Sequence, residues 1–188
     1  MQFFESVFFT LPTLETRRLI LRPLRMGDAK DLFAYASDPQ VSRHVLWDTH
    51  QSIRDSRMFL RFAIRQYRRG LPGSFAITLK DSGRMIGTVG FMWINPDWAS
   101  AEVGYSLSRD YWNQGIMTEA LREVVAFGFD RLKLNRIEAQ HETDNPASGR
   151  VMAHVGMQYE GTLRQRLKNK GRYVDVALYA MLRTDPRL

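Results

Sequence analysis

The chain has 188 residues, the size of one ordinary domain, and its 44% hydrophobic and 25% charged residues give a globular balance. It contains no cysteine, which excludes a disulfide framework and a thiolate metal site, and its net charge of +7 favours anionic ligands without naming one. The four histidines (His44, His50, His141, His154) show no recognisable metal-ligand spacing, so no metal is expected. The opening "MQFFESVFF" is apolar, but it lacks a basic flank and Glu5 interrupts it, unlike a signal peptide. No apolar run approaches the ~20 residues of a membrane span. A cytoplasmic protein with no membrane partner is the expectation. Nucleic acid is disfavoured as a partner, because no RNA-binding aromatic motif or helix-turn-helix pattern accompanies the arginines.

In chain order, "RRLILRPL" (17–24) alternates apolar and basic residues and suits a strand near a sheet edge. "GDAKDLFAYAS" follows as a short helix with Asp28 placed to cap it. Residues 52–70 form a second helix that stops at Gly70. "SFAITLKDSGRMIGTVGFMWI" is two strands around the turn Asp81-Ser82-Gly83, and "SAEVGYSLS" (100–108) is a third. A helix then runs towards Leu132 with Leu121, Val124, Val125 and Phe129 on one face. "NRIEAQHE" is a strand and "NPASGRVMAHVGM" a helix stopped by Gly156. The tail is two long strands around the turn at Asn169–Arg172. The order β-α-α-β-β-β-α-β-α-β-β, without repeat or linker, predicts one mixed α/β domain over 1–188, with residues 1–13 as an N-terminal extension.

Between the strand at 100–108 and the long helix stands a bare turn, Asn113-Gln114-Gly115. The first amides of a helix lack internal partners, and together with the helix dipole they bind phosphate well. Gly115 admits a ligand close to the backbone, and Thr118 adds a hydroxyl.

Three motifs in order, "TRRLILRPL", "YWNQGIMTEA" and "ETDNPASGRVMAHVGM" with "YEGTLR", resemble the GNAT N-acetyltransferase superfamily. Over residues 14–182 the chain resembles its branch of ribosomal-protein (alanine/serine) N-terminal acetyltransferases. The resemblance implies a central mixed, mostly antiparallel sheet flanked by helices, with a splayed strand pair that binds acetyl-CoA. Tyr105, Ser106 and Leu107 lie along the pantetheine arm, the amides of Gln114, Gly115, Ile116, Met117 and Thr118 wrap the pyrophosphate, and Asn145 contacts the cofactor. Met117 departs from the pattern, which favours a small residue there. Met152 stands where many members carry a tyrosine acid, so that mechanism does not transfer.

The branch instead places a serine three residues after the asparagine, and Ser148 matches it as the group that hydrogen-bonds the departing thiolate. Glu102 matches the carboxylate that acts as base through water, with Glu138 and Glu142 as alternatives on the next strand. Trp47 and Trp93 are candidates for the acceptor wall. The acceptor implied is the α-amino group of a protein N-terminus. The other readings are a small-molecule or antibiotic amine acetyltransferase, and a CoA- or RNA-binding regulator without catalysis. Self-association to a homodimer is left open.

Overall fold

The computed structural model describes residues 3–187. Its helices are α1 (Phe3–Phe9), α2 (Ala29–Ala36), α3 (Pro39–Ser42), α4 (Ile53–Tyr67), α5 (Ile116–Asp130) and α6 (Pro146–Val155). Its strands are β1 (Leu14–Glu15), β2 (Leu19–Pro23), β3 (Ser74–Leu79), β4 (Met85–Asn95), β5 (Ser100–Leu107), β6 (Arg136–Glu142), β7 (Gln158–Asn169) and β8 (Arg172–Leu182). They form a single eight-stranded sheet in the order β1-β2-β3-β4-β5-β6-β8-β7. Every neighbouring pair is antiparallel except β5 and β6, whose parallel pairing requires the α5 crossover. The mixed, mostly antiparallel architecture expected from the sequence is present.

Side chains of successive strand residues point to opposite faces, and the two faces have different cover. Phe75 and Phe91 meet Phe127 of α5 at ring-centroid distances of 5.8 and 6.3 Å, and Phe8 of α1 packs edge-on against Phe91 at 6.1 Å. The apolar N-terminal stretch is therefore a helix laid on the core. On the opposite pleat, α2 packs on α4 and on β4, and Tyr35 of α2 lies against Thr88 and Ser106. α4 begins with a capping box in which Asp55 accepts from the amide of Ser52 at 2.9 Å, and the chain after it turns at Gly70 with φ +65°.

Three elements depart from the sequence reading. α1, the two-residue β1 and the four-residue α3 were not expected. Asp38 accepts from the Gln40 amide at 2.9 Å and Pro39 fills the first helical position, which explains α3. Asp28 is not the side-chain cap of α2. Its carboxylate, 3% exposed, takes both arms of Arg22 at 2.7 and 2.9 Å and the Arg25 amide at 2.8 Å. The buried charge is matched by a fork from β2, an interaction that helix-start patterns do not encode.

Candidate active site

β5 and β6 are paired only over Ser100–Glu102 and Arg136–Glu138. Beyond Glu102 the strands part, and Val103–Leu107 on one arm and Ala139–Glu142 on the other are unpaired with each other. β4 holds β5 by antiparallel pairing along this length, and a bulge between Phe91 and Trp93 interrupts its register. The Tyr105 side chain reaches from β5 to α6. The Tyr105 hydroxyl reaches the Ser148 hydroxyl at 2.8 Å and its carbonyl at 3.0 Å. Burial pushes the Tyr105 phenol far above the usual tyrosine range, and the Ser148 hydrogen bond offsets only part of that. The phenol therefore keeps its proton. When it donates to the Ser148 carbonyl, the Ser148 hydroxyl donates back to it; when it donates to that hydroxyl, the serine proton is free for the cleft.

Below the gap lies the turn before α5. Asn113 and Gly115 take left-handed backbone with φ of +58° and +70°. A Cβ on Gly115 would meet nothing closer than Arg18 Nη2 at 3.6 Å, so the glycine is required by its backbone angle and not by crowding. Among the described residues the amides of Gln114 to Thr118 have no hydrogen-bond partner. Arg18 Nη1 donates to the Gln114 carbonyl at 3.0 Å. The planar trans peptide then directs the Gly115 amide the other way. Ile116 and Met117 are buried at 3% and 6%, so their side chains point into the core and only their backbone borders the turn. That is how a large Met117 is accommodated.

Glu119, in the first turn of α5, is bound by the Thr16 hydroxyl at 2.6 Å, the Arg18 amide at 2.8 Å and Arg18 Nε at 2.7 Å. Burial raises its carboxyl, and these donors outweigh burial and hold it below the usual range.

One cleft of about 550 Å³ joins these parts. Tyr105, Ser106 and Leu107 line it from β5, Gly115, Ile116, Met117 and Thr118 from the turn, and Asn145 and Ser148 from α6. Asn145 occupies the N-cap position without a capping side-chain bond. The Leu107 carbonyl is already bonded to the Trp112 indole at 2.9 Å, which leaves Tyr105 and Ser106 as the open stretch of β5.

Gln114, Glu102, Trp47 and Trp93 lie outside the lining residues. Glu102 Oε2 accepts from Trp93 Nε1 at 2.8 Å and Oε1 from Gln140 Nε2 at 3.1 Å, at the last rung before the strands part. Trp47 packs on His50 at 5.4 Å.

The cleft also contains residues that the sequence reading missed. Arg43 and Arg150 border it as exposed cations, and His44 lines it from the loop after α3. His44 Nδ1 meets Glu142 Oε2 at 2.8 Å and Asp144 Oδ1 at 3.5 Å. Residue spacing gives no sign of this meeting, because 98 positions separate His44 from Glu142.

A sheet parted beside a helix N-terminus and a glycine turn suits a phosphorylated ligand with an extended arm, the arrangement of a cofactor-dependent transferase. The chain belongs to the acetyltransferase (GNAT) domain family, which matches residues 18–158. The uncharacterized N-acetyltransferase p20 of Bacillus licheniformis is 34% identical over 175 residues, covering 93% of this chain and 98% of that protein. The ribosomal-protein-serine acetyltransferase of Escherichia coli strain K12 is 32% identical over 132 residues, covering 70% of this chain and 73% of that protein. Among solved structures, RimL, a ribosomal L7/L12 alpha-N-protein acetyltransferase in complex with coenzyme A, superposes with a TM-score of 0.81 at 23% identity, covering 91% of this chain and 98% of that one. The protein is an N-acetyltransferase with acetyl-CoA as co-substrate. Among the described residues no helix is long and apolar enough to cross a membrane.

Proposed function

We propose that the protein transfers the acetyl group of acetyl-CoA to the α-amino group of a protein N-terminus. The observation that carries the cofactor half is the run of amides at Gln114–Thr118, without partners among the described residues, whose Gly115–Thr118 share one cleft with Tyr105 and Ser106 of the parted strand. Such a turn suits the pyrophosphate, and the open backbone at Tyr105 and Ser106 suits the pantetheine arm. Arg43, Arg150 and Asn145 stand at the rim as further contacts for phosphate or amide oxygens. The acceptor half rests on the similarity to the E. coli ribosomal-protein-serine acetyltransferase and on a cleft that continues to the loop after α3.

In the reaction the amine nitrogen forms a bond to the thioester carbonyl carbon, and the bond from that carbon to sulfur breaks. Ser148, backed by the Tyr105 phenol, supplies the proton or hydrogen bond that the departing thiolate needs. We give Glu102 a positioning role, because both of its oxygens are engaged where the strands begin to part.

The test is calorimetric titration with acetyl-CoA of the wild type and of Gly115→Glu, followed by acetylation of a serine-headed hexapeptide. Micromolar binding that the substitution abolishes is expected, together with turnover of the peptide. Absence of binding by the wild type refutes the cofactor reading. Binding with turnover of small primary amines only would transfer the enzyme to the small-molecule class.

A further inference from the structure

We propose that His44, oriented by Glu142, is the general base that takes the proton from the acceptor ammonium. This deepens the acetyltransferase reading and rests on it. His44 lines the same cleft as Tyr105 and Ser148, and it does so from the loop between α3 and α4. Its Nδ1 lies 2.8 Å from Glu142 Oε2. A carboxylate only accepts, so a neutral ring hydrogen-bonded to it through Nδ1 carries its proton there and its lone pair on Nε2, the form a base requires. Nε2 has no partner in the protein among the described residues.

The carboxylate behind the ring is unusually well fixed. Glu142 is 4% exposed, and its other oxygen accepts from the side-chain amide of Asn169, which is 3% exposed. It ends β6, on the arm that has parted from β5, so the pair stands beside the gap. The loop bearing His44 is itself fastened. Lys170, in the β7–β8 turn, donates to the carbonyls of Val45 at 2.7 Å and Trp47 at 3.2 Å.

The charged groups on the ring are Glu142 and Asp144, from β6 and the turn after it; Lys170 of the β7–β8 turn meets the same loop at Val45 and Trp47, and Arg43 precedes His44 in the chain. Asp144 Oδ1 at 3.5 Å adds a second negative charge on the side of Nδ1. Both carboxylates lie on the Nδ1 side of the ring, and the Glu142 hydrogen bond orients it as a base.

The protons balance. Nε2 takes one proton from the ammonium, and the freed lone pair attacks the thioester carbon. As the carbon–sulfur bond breaks, the nitrogen loses its second proton and the sulfur gains one through Ser148. His44 then returns its proton to solvent. The net change is one amide, one thiol and one released proton from an ammonium and a thioester.

The alternative is a latch, in which His44, Glu142, Asn169 and Lys170 only tie the loop down. The experiment compares wild type, His44→Gln, His44→Ala and Glu142→Gln at saturating acetyl-CoA, with a serine-headed hexapeptide and a set of small primary amines as acceptors. His44→Gln is expected to lower kcat about 100-fold or more near neutral pH, with the Kd of acetyl-CoA unchanged within about twofold. Its deficit narrows as pH rises and the free amine becomes abundant, and added imidazole restores part of the rate of His44→Ala. Glu142→Gln is expected to lower kcat about tenfold with little change in KM.

A His44→Gln variant retaining a third of wild-type kcat, or a deficit constant across pH without imidazole rescue, overturns the proposal. So does activity that a chelator removes and zinc restores. Wild type that binds acetyl-CoA and acetylates neither class of acceptor overturns it while leaving the cofactor site standing. Loss of acetyl-CoA binding by the wild type refutes the parent reading as well.

Discussion

Arg18 and Glu119 face the proposed pyrophosphate turn from behind, and their removal should act with opposite sign on cofactor affinity. Arg18 donates to Glu119 at 2.7 Å and to the Gln114 carbonyl at 3.0 Å, with its side chain 35% exposed. Charge-assisted hydrogen bonds of this kind contribute about 1.5–3 kcal/mol when buried, and exposure reduces the pair here to about 1–2 kcal/mol. Arg18→Ala should then lower Tm by roughly 3–6 °C in a chain of this size. It also leaves Glu119 uncompensated in the first turn of α5, against the dipole that attracts phosphate. That opposition and the lost cation amount to about 1 kcal/mol, a roughly fivefold weaker Kd for acetyl-CoA at low salt, fading as salt rises.

Glu119→Gln should destabilise to a similar degree, yet leave affinity unchanged or improve it, because the cation at Arg18 is then unneutralised. The pH dependence of stability follows from the carboxyl's depressed range. A group with its folded pKa lowered contributes stability in full above its unfolded value and loses it as pH falls through the folded one. Wild type should therefore lose this increment on acidification from the ordinary carboxylate range downward, and Glu119→Gln should lack that limb. Calorimetric titration at two salt concentrations and melts across pH check both claims. Equal loss of acetyl-CoA affinity in the two single variants would refute the electrostatic argument and leave only collapse of the turn.

Asp28→Ala should cost about 3 kcal/mol in a denaturant melt, because it strands the Arg22 guanidinium, whose side chain is 13% exposed, whereas loss of a simple helix cap costs about 1. A loss near the smaller figure would restore the capping role. Tyr105→Phe removes the hydroxyl that bridges to Ser148 and should lower kcat about tenfold with acetyl-CoA affinity nearly unchanged; an unaltered kcat would release Ser148 from dependence on the phenol.

The cofactor side of the cleft could be read from the sequence because each part of it is a contiguous run. A strand at 100–108, a glycine turn and an amphipathic helix are local features, and Tyr105–Leu107, Gly115–Thr118 and Asn145–Ser148 follow one another along the chain. Even there, the Tyr105 side chain was missed, since its partner Ser148 is 43 residues away. The same limit explains Asp28, where helix-start chemistry and a buried ion pair present the same aspartate in sequence and only the fold chooses between them. It also explains α1, whose Phe8 becomes a core residue only once Phe91 is brought under it.

The proposed acceptor side has no contiguous run at all. It is assembled from the loop after α3, the end of β6 and the β7–β8 turn, and its hydrogen bonds join residues about a hundred positions apart. The resemblance favours Glu102 over Glu142, because Glu102 lies on the splayed strand where family members often carry a base glutamate. In space the preference reverses: Glu102 is consumed where the sheet is still paired, and Glu142 stands past the point of parting with a histidine on it. A base must reach its amine, and on the proposed reading that amine enters the gap and not along the sheet. The carboxylate that ends the free arm is then the one that serves it, through His44.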